Sequence, residues 1–440
     1  MFYRQLSRSL TTNLNKYSSM KFTTKVEAKN LPKGFLATGV SANIKKTTVN
    51  DVSLIVSEVP TVAAAAVFTQ NKFCAAPVLV CKEILKAHEH KGIRAIVINS
   101  GRANAVTGEV GLKNAKTMAS IADSELNITS TADAPSSLVM STGVIGHHLP
   151  MDKIEKGIKA AAKLLKNTPE SWLACAEGFM TTDTQPKLVA QTFRLPSGGE
   201  YRLAGISKGA GMIHPNMATL LSAVATDVNV SPDCLNKALK YATERSFNAI
   251  SVDGDTSTND TCAVLANGQA NNTNILEEDS ADFKQFQSDL TDVMIQLAQK
   301  IVKDAEGATK FVQVKVKNAV NFSEAKTIAS SIVTSSLVKT ALYGNDANWG
   351  RIVCAIGYCG VDSVDPSKVS LTIFPQDNST PLELLKNGEP IEMDEERALA
   401  VMQQGEINIE VDLGLGSEEA TMWTCDMSHE YVTINGSYRS

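Results

Sequence analysis

Thr219 closes an unusual mid-chain stretch, Lys208-Gly-Ala-Gly-Met-Ile-His-Pro-Asn-Met-Ala-Thr-Leu-Leu221. A threonine hydroxyl is a poor nucleophile at its ordinary pKa and needs an adjacent base. If the bond after Ala218 is cut, Thr219 becomes N-terminal and its own α-amine is that base. A free α-amino group titrates at about 7.7–8.0, near the pH that general-base catalysis requires. The cut would be attack of the Thr219 hydroxyl on the Ala218 carbonyl, an N-to-O acyl shift and hydrolysis of the ester. That route needs a distorted peptide and a small preceding residue. Gly209, Gly211, Pro215 and Ala218 supply both. The plain alternative for any single threonine is a β-branched residue that opens a buried strand.

Other chemistries fit less well. The acidic run 253–260 looks like a calcium loop, but Thr258 stands where such a loop needs glycine and Val264 where it needs glutamate. Lys208-Gly-Ala-Gly211 lacks the Gly-Lys-Ser/Thr order of a phosphate loop. His147, His148 and His214 have no acidic partners at a recognisable spacing. The eight cysteines are scattered, with no Cys-x-x-Cys pair. They read as reduced thiols, with no metal site expected.

At 440 residues the chain can bury a large core in more than one lobe. Apolar content of 43% and charged content of 20% are those of a soluble globular protein. A net charge of −5 argues against nucleic acid as a partner. The longest apolar run, 62–68, falls far short of the roughly 20 residues that span a bilayer. No acidic residue precedes Glu27, whereas Arg4, Arg8, Lys16, Lys21 and Lys25 do. Phe2, Leu6, Leu10 and Leu14 fall on one helical face, with many serines and threonines around them. Basic, hydroxyl-rich and acid-free is the pattern of a mitochondrial transit peptide, here taken as residues 1–26.

The elements that must position Thr219 are strands and helices mixed without a fixed period. The apolar spacing predicts strands over 35–40, 52–56, 62–68, 78–80 and 93–98, with a short helix over 82–88. A strand at 138–146 precedes helices at 151–166 and 172–180. A hairpin over 188–206, turning at Pro196-Ser-Gly-Gly199, feeds the central stretch. A buried strand, 220–227, leaves it. Helices are predicted over 231–246, 283–301, 322–343 and 395–403. Strands are predicted over 248–252, 262–266, 310–316, 352–358, 369–374, 407–413 and 431–434. The reading is α/β layers with sheets packed together and helices outside.

The stretch 208–221 closely resembles the self-cleavage segment of the ornithine acetyltransferase family, also called bifunctional arginine biosynthesis proteins or glutamate N-acetyltransferases. The similarity includes Asn99-Ser-Gly-Arg-Ala-Asn104, Ser141-Thr-Gly-Val-Ile-Gly146 and Thr181-Thr-Asp-Thr184. It continues through Ser251-Val-Asp-Gly-Asp-Thr-Ser-Thr-Asn-Asp260, Tyr343-Gly-Asn-Asp-Ala-Asn-Trp-Gly-Arg351 and 435–440.

The resemblance implies a mitochondrial matrix enzyme of ornithine and arginine synthesis. It moves acetyl from N2-acetylornithine to glutamate through acetylated Thr219, in ping-pong fashion. No bound cofactor is implied, and acetyl-CoA is a possible second donor. The implied fold is an αββα-type sandwich with mixed or antiparallel sheets, like that of self-cleaving N-terminal-nucleophile enzymes. An α chain (27–218) and a β chain (219–440) stay associated as a heterodimer, and such pairs dimerise. By the same resemblance Thr142 and Gly143 form the oxyanion hole, and Thr182, Lys208, Glu306, Asn435 and Ser440 hold the substrate with Thr219. The rival enzyme is an N-terminal-nucleophile amidase or aminopeptidase that releases to water. A binding protein that keeps the fold without catalysis is the rival of a different class.

Overall fold

A computed structural model describes residues 20–45, 49–131, 134–214 and 220–437. Ala218, Thr219, Ser440 and residues 1–19 of the expected transit peptide lie outside the described residues. The chain divides into two units, one built mainly on 23–248 and 254–301, the other on 249–253 and 302–439.

The first unit holds two sheets. One contains β1 (Phe35–Val40), β2 (Val52–Ser57), β4 (Ala95–Arg102) and β5 (Ser137–Val144), in that order. Its first two pairings are antiparallel and β4–β5 is parallel. The other runs β3 (Ala63–Phe68), β10 (Thr261–Ala266), β8 (Leu221–Thr226), β7 (Glu200–Lys208), β6 (Lys187–Arg194). Only β10–β8 is parallel there. One apolar core joins both sheets, from Leu54 and Ile96 to Ile206 and Leu265. Strands β2 and β8 are buried at every position, so their apolar residues fall on both faces and the strict alternation of a half-exposed strand is absent.

Helices cover the sheets. α1 (Ala76–Ala87) lies along the edge strand β5, where the Cys81 thiol meets the Val139 backbone. α2 (Gly108–Glu125) packs on β4 and β5, and α3 (Met151–Ala162) on β1 and β2. α4 (Pro169–Phe179) lies on the opposite face. The backbone of Gly157 in α3 abuts Val52, whereas Gly178 in α4 abuts Ser53, and successive strand residues point to opposite faces. α4 also touches β6 and β7, so it is wedged between the sheets. A capping box at Thr168 and Ser171 starts it, and Trp172 and Phe179 are fully buried. α5 (Pro232–Arg245) packs on β3. α6 (Ala281–Lys303) covers β7 and β8, with Leu297 against Gly205 and the Phe286 ring 6.0 Å from that of Tyr201. The layered α/β expectation of packed mixed sheets with helices outside describes this unit, except that α4 lies between the two sheets.

The second unit is built on a seven-stranded sheet. Its order is β14 (Glu389–Pro390), β13 (Leu382–Lys386), β12 (Ser370–Pro375), β15 (Glu406–Asp412), β11 (Phe311–Ala319), β16 (Glu418–Cys425), β9 (Ile250–Ser251). α7 (Phe322–Thr334) packs on β11 and β16, and α8 (Ser336–Tyr343) and α9 (Trp349–Gly357) follow it. α10 (Glu395–Met402) precedes β15, and α11 (His429–Ser437) is the last described element.

Several local expectations fail. The strands expected at 78–80, 352–358 and 431–434 are helical, within α1, α9 and α11. A short apolar run has no periodicity that separates a strand from a buried helix turn. In α1, Pro77 near the N-terminus, with Val80, Cys81, Ile84 and Leu85 on one face, settles it as helix. The single helix expected at 322–343 is two, because the extended Ser335 caps a new start by accepting from Val338 N–H. β16 was not foreseen: its exposed start, Glu418-Glu419, hides a strand that is buried at Ala420 and throughout from Met422.

Candidate active site

The end of β5 carries Ser141, Thr142 and Gly143. Asn99 of β4 accepts from the Ser141 hydroxyl at 2.6 Å and donates to the Arg102 carbonyl at 2.9 Å. From the loop that precedes β10, Asn259 donates to the Ser141 carbonyl at 2.8 Å and to that of Ala103 at 2.5 Å. A register shift at Gly101–Arg102 breaks the ladder opposite Gly143. Gly143 has φ +125°, and a Cβ there would lie 2.4 Å from the Gly101 carbonyl carbon. Only glycine fits that approach. Thr142 is buried, yet its hydroxyl bonds to no described residue. A hydroxyl and a backbone amide at a rigid strand end are suitable donors to a developing oxyanion. Thr142→Ala should therefore lower kcat on the order of 10²-fold while the protein stays folded. Steady-state rates beside a thermal melt test this, and an unchanged kcat rules the role out.

Beside Gly101 runs the loop 42–45, folded around the buried carboxylate of Asp51. Asp51 accepts from the amides of Ala42 (2.6 Å), Ile44 (2.6 Å) and Lys45 (3.1 Å). A Cβ on Gly101 would meet the Lys45 side chain at 3.2 Å. The Lys45 ammonium in turn donates to the Met180 carbonyl at 2.7 Å. Burial pushes Lys45 down to about 8, although Asp51 and Asp183 oppose the shift.

Thr181 to Thr184 follow α4, and the organiser of this turn is Asp183. Its carboxylate is fully buried and accepts from Lys187 Nζ at 2.6 Å, Gly209 N–H at 2.7 Å and Thr181 N–H at 3.0 Å. Burial alone raises its pKa, but the Lys187 and Lys208 ammoniums and the Gly209 amide outweigh that and hold it well below the usual range. Asp183 thus ties the Thr182 turn to the end of β7, where Lys208 is buried. Lys208 pairs in register with Leu221, two residues beyond Thr219. On the near side of the undescribed 215–219, Met212 has φ +58°, an unusual backbone for a side chain of that size. Burial lowers the pKa of His214 there, with Asp255 opposing.

The first unit therefore brings Thr142, Gly143, Thr182 and Lys208 into one string of contacts through Gly101, Lys45, Met180 and Asp183. Asp183, Asn259, Asn99 and Lys45 have no role in the sequence reading. Asp183 lies inside the motif 181–184 and Asn259 inside the run set aside as a failed calcium loop. Local spacing does not reveal a partner 26 or 118 residues away. In the second unit, Asn435 of α11 donates to the Glu306 carboxylate at 2.9 Å. Gly307 beside it has φ +69°, and its Cβ would clash with the Tyr431 amide at 2.5 Å, so the 304–308 turn is closed against the start of α11. Glu306 lies beyond the end of α6 at Lys303.

The ArgJ family model matches residues 36–440. This chain is a member of the ArgJ family. The mitochondrial arginine biosynthesis bifunctional protein ArgJ of Aspergillus terreus is 53% identical over 425 residues, covering 93% of this chain and 92% of that protein. The protein of the same name from Blastomyces gilchristii is 53% identical over 426 residues, covering 93% and 90%. Among solved structures, the arginine biosynthesis bifunctional protein argJ of Bacillus halodurans is 41% identical, with a TM-score of 0.45 over 48% of this chain and 96% of that one. An ornithine acetyltransferase from Mycobacterium tuberculosis, complexed with ornithine, is 34% identical, with a TM-score of 0.36 over 42% and 93%.

Proposed function

We propose that this ArgJ protein transfers acetyl from N2-acetylornithine to glutamate in arginine biosynthesis, through an acetyl ester on Thr219. Cleavage between Ala218 and Thr219 frees the amine that serves as base. It yields an α chain (27–218) and a β chain (219–440) that act together, as a dimer of such pairs. The observation that carries the reading is the end of β5. There a Thr142 hydroxyl that bonds to no described residue adjoins a left-handed Gly143, and in the same unit Asp183 accepts from the amide that follows the buried Lys208.

In the first half-reaction the Thr219 hydroxyl attacks the acetyl carbonyl of N-acetylornithine. The α-amine takes the hydroxyl proton and passes it to the leaving amine of ornithine. Thr142 and Gly143 donate to the oxygen that becomes negative. Glutamate then enters, its amine attacks the ester, and Thr219 regains its proton. Lys208 pairs with a substrate carboxylate, Thr182 adds a polar contact, and Glu306, Asn435 and Ser440 complete the substrate contacts. No bound cofactor is required. Acetyl-CoA serves as a second donor, which makes N-acetylglutamate directly. The relatives are named mitochondrial, and the basic, acid-free residues 1–26 fit import into the matrix.

Glutamate-dependent release of ornithine from N-acetylornithine, with stoichiometric N-acetylglutamate, is the expected result. Release of free acetate at the same rate without glutamate identifies an amidase instead. Glu306→Gln keeps the acceptor for Asn435 but removes the charge facing a cationic amine. It should raise KM for N-acetylornithine about tenfold with kcat little changed. An unchanged KM removes Glu306 from the site.

A further inference from the structure

A cleft of about 990 Å³ opens beside β3, the edge strand of its sheet, between α1 and α5. Its walls carry Lys72, Lys82 and Lys240 against a single carboxylate, Glu244. That carboxylate already accepts from Asn248 Nδ2 at 2.6 Å. The three ammoniums have no salt-bridge partner among the described residues, and Lys82 rests over the Phe68 ring at 5.5 Å. A concentration of unpaired cations in a chain of net charge −5 is a local departure that attracts an anion. Phe73, flanked by the lining residues Lys72 and Cys74, is 69% exposed, a flat apolar face at the rim.

The cleft is connected to the transfer site. Phe68 pairs in register with Thr261, and Thr261 with Leu221 at the start of β8. Two inter-strand spacings, roughly 10 Å, therefore separate the cleft's Phe68 from the residue two places past Thr219. The loop beyond Phe68 is pinned to the polar run before β10. Thr69 donates to the Ser257 carbonyl at 2.7 Å, and its amide to that of Asp260 at 2.9 Å. A ligand held here needs an anionic head for the lysines, a planar group for Phe73 and an extended arm that reaches the acyl site.

We propose that this cleft binds the phosphorylated nucleotide handle of an acyl-coenzyme A donor, with its phosphates on Lys72 and Lys240, its base on Phe73 and its pantetheine arm crossing from the Phe68 end of β3 toward the acetyl-accepting threonine. The inference rests on the transferase reading above. In the step it serves, the carbonyl–sulfur bond of the thioester breaks and a carbonyl–oxygen bond to the threonine forms. The hydroxyl proton passes through the α-amine to the departing thiolate. The donor from N-acetylornithine needs no such handle, so the cleft separates the two donors.

The test is Lys72→Glu combined with Lys240→Glu in the full protein, two exposed positions outside the transfer machinery. KM for acetyl-CoA should rise at least about tenfold, while acetyl exchange from N-acetylornithine to glutamate stays within about twofold of the parent. In the parent, adenosine 3′,5′-bisphosphate should compete with acetyl-CoA and pyrophosphate should compete far less. An unchanged KM for acetyl-CoA overturns the assignment. So does competition by pyrophosphate equal to that of the nucleotide, which marks a site for free polyphosphate. If the parent exchanges acetyl between the amino acids but takes none from acetyl-CoA, the cleft assignment falls and the transferase reading stands. If it does neither, both fall.

Discussion

Thr219→Ala should migrate as one uncut polypeptide on a denaturing gel, and its acetyl transfer should fall by a factor on the order of 10⁴ or more. Two separate losses produce this. Alanine has no hydroxyl to attack the Ala218 carbonyl, so the chain stays whole and the α-amine remains in a peptide bond. Alanine also has no oxygen to carry the acetyl group between donor and acceptor. Thr219→Ser separates these from a folding defect, because serine keeps the hydroxyl and loses only a methyl group. It should cleave and turn over, more slowly than the parent, and show an acetyl adduct on the new N-terminal fragment by mass spectrometry. A cut Thr219→Ala protein, or one with near-parental transfer, removes Thr219 from both roles.

Asp183→Ala should cost about 3–5 kcal/mol of stability, the usual result of removing one partner from a buried ion pair. Lys187 Nζ is wholly buried and would lose the carboxylate that it meets at 2.6 Å. The Gly209 and Thr181 amides would lose their acceptor as well. The effect should reach function, since the same carboxylate joins the Thr182 turn to the Lys208 end of β7. Asp183→Asn keeps an acceptor of the same shape and should cost less, although it removes the negative charge at 2.6 Å from Lys187. Denaturant melts of the three proteins, with kcat/KM measured on each, decide the matter; equal stability in all three defeats it. Acid should act on the same group. The folded carboxyl is held below its unfolded value, so its contribution is complete above the ordinary aspartate range of about 4 and is lost as pH falls below that range. Asp183→Asn should flatten that part of the acid stability curve.

The ordered motifs were legible because they are contiguous. Lys208 to Leu221 holds its glycines, proline, small residue and proposed nucleophile within one segment, and Ser141-Thr-Gly143 holds both proposed oxyanion donors side by side. Apolar alternation and hairpin signals marked β6 and β7, where period and turn chemistry agree. The layered α/β class followed from strands and helices mixed along the chain.

Elsewhere periodicity was silent. Residues 78–80, 352–358 and 431–434 are too short to declare a period by themselves, and they belong to the longer helices α1, α9 and α11. β16 looked polar at its start because its first two side chains face solvent; pairing with β11 makes it a strand. The supports of the site were hidden for a related reason. Asp183 meets Gly209, and Asn259 meets Ala103 and Ser141, only after β7 and β10 take their places in one sheet and β4 and β5 theirs in the other. The kind of chemistry is written in residue types at short spacing, and the sequence alone determined it. The buried charge that braces Lys208, and the lysines gathered beside β3, depend on contacts between distant residues. Only the tertiary structure decided those, because side chains far apart in the chain acquire a common environment when strands pair and helices pack.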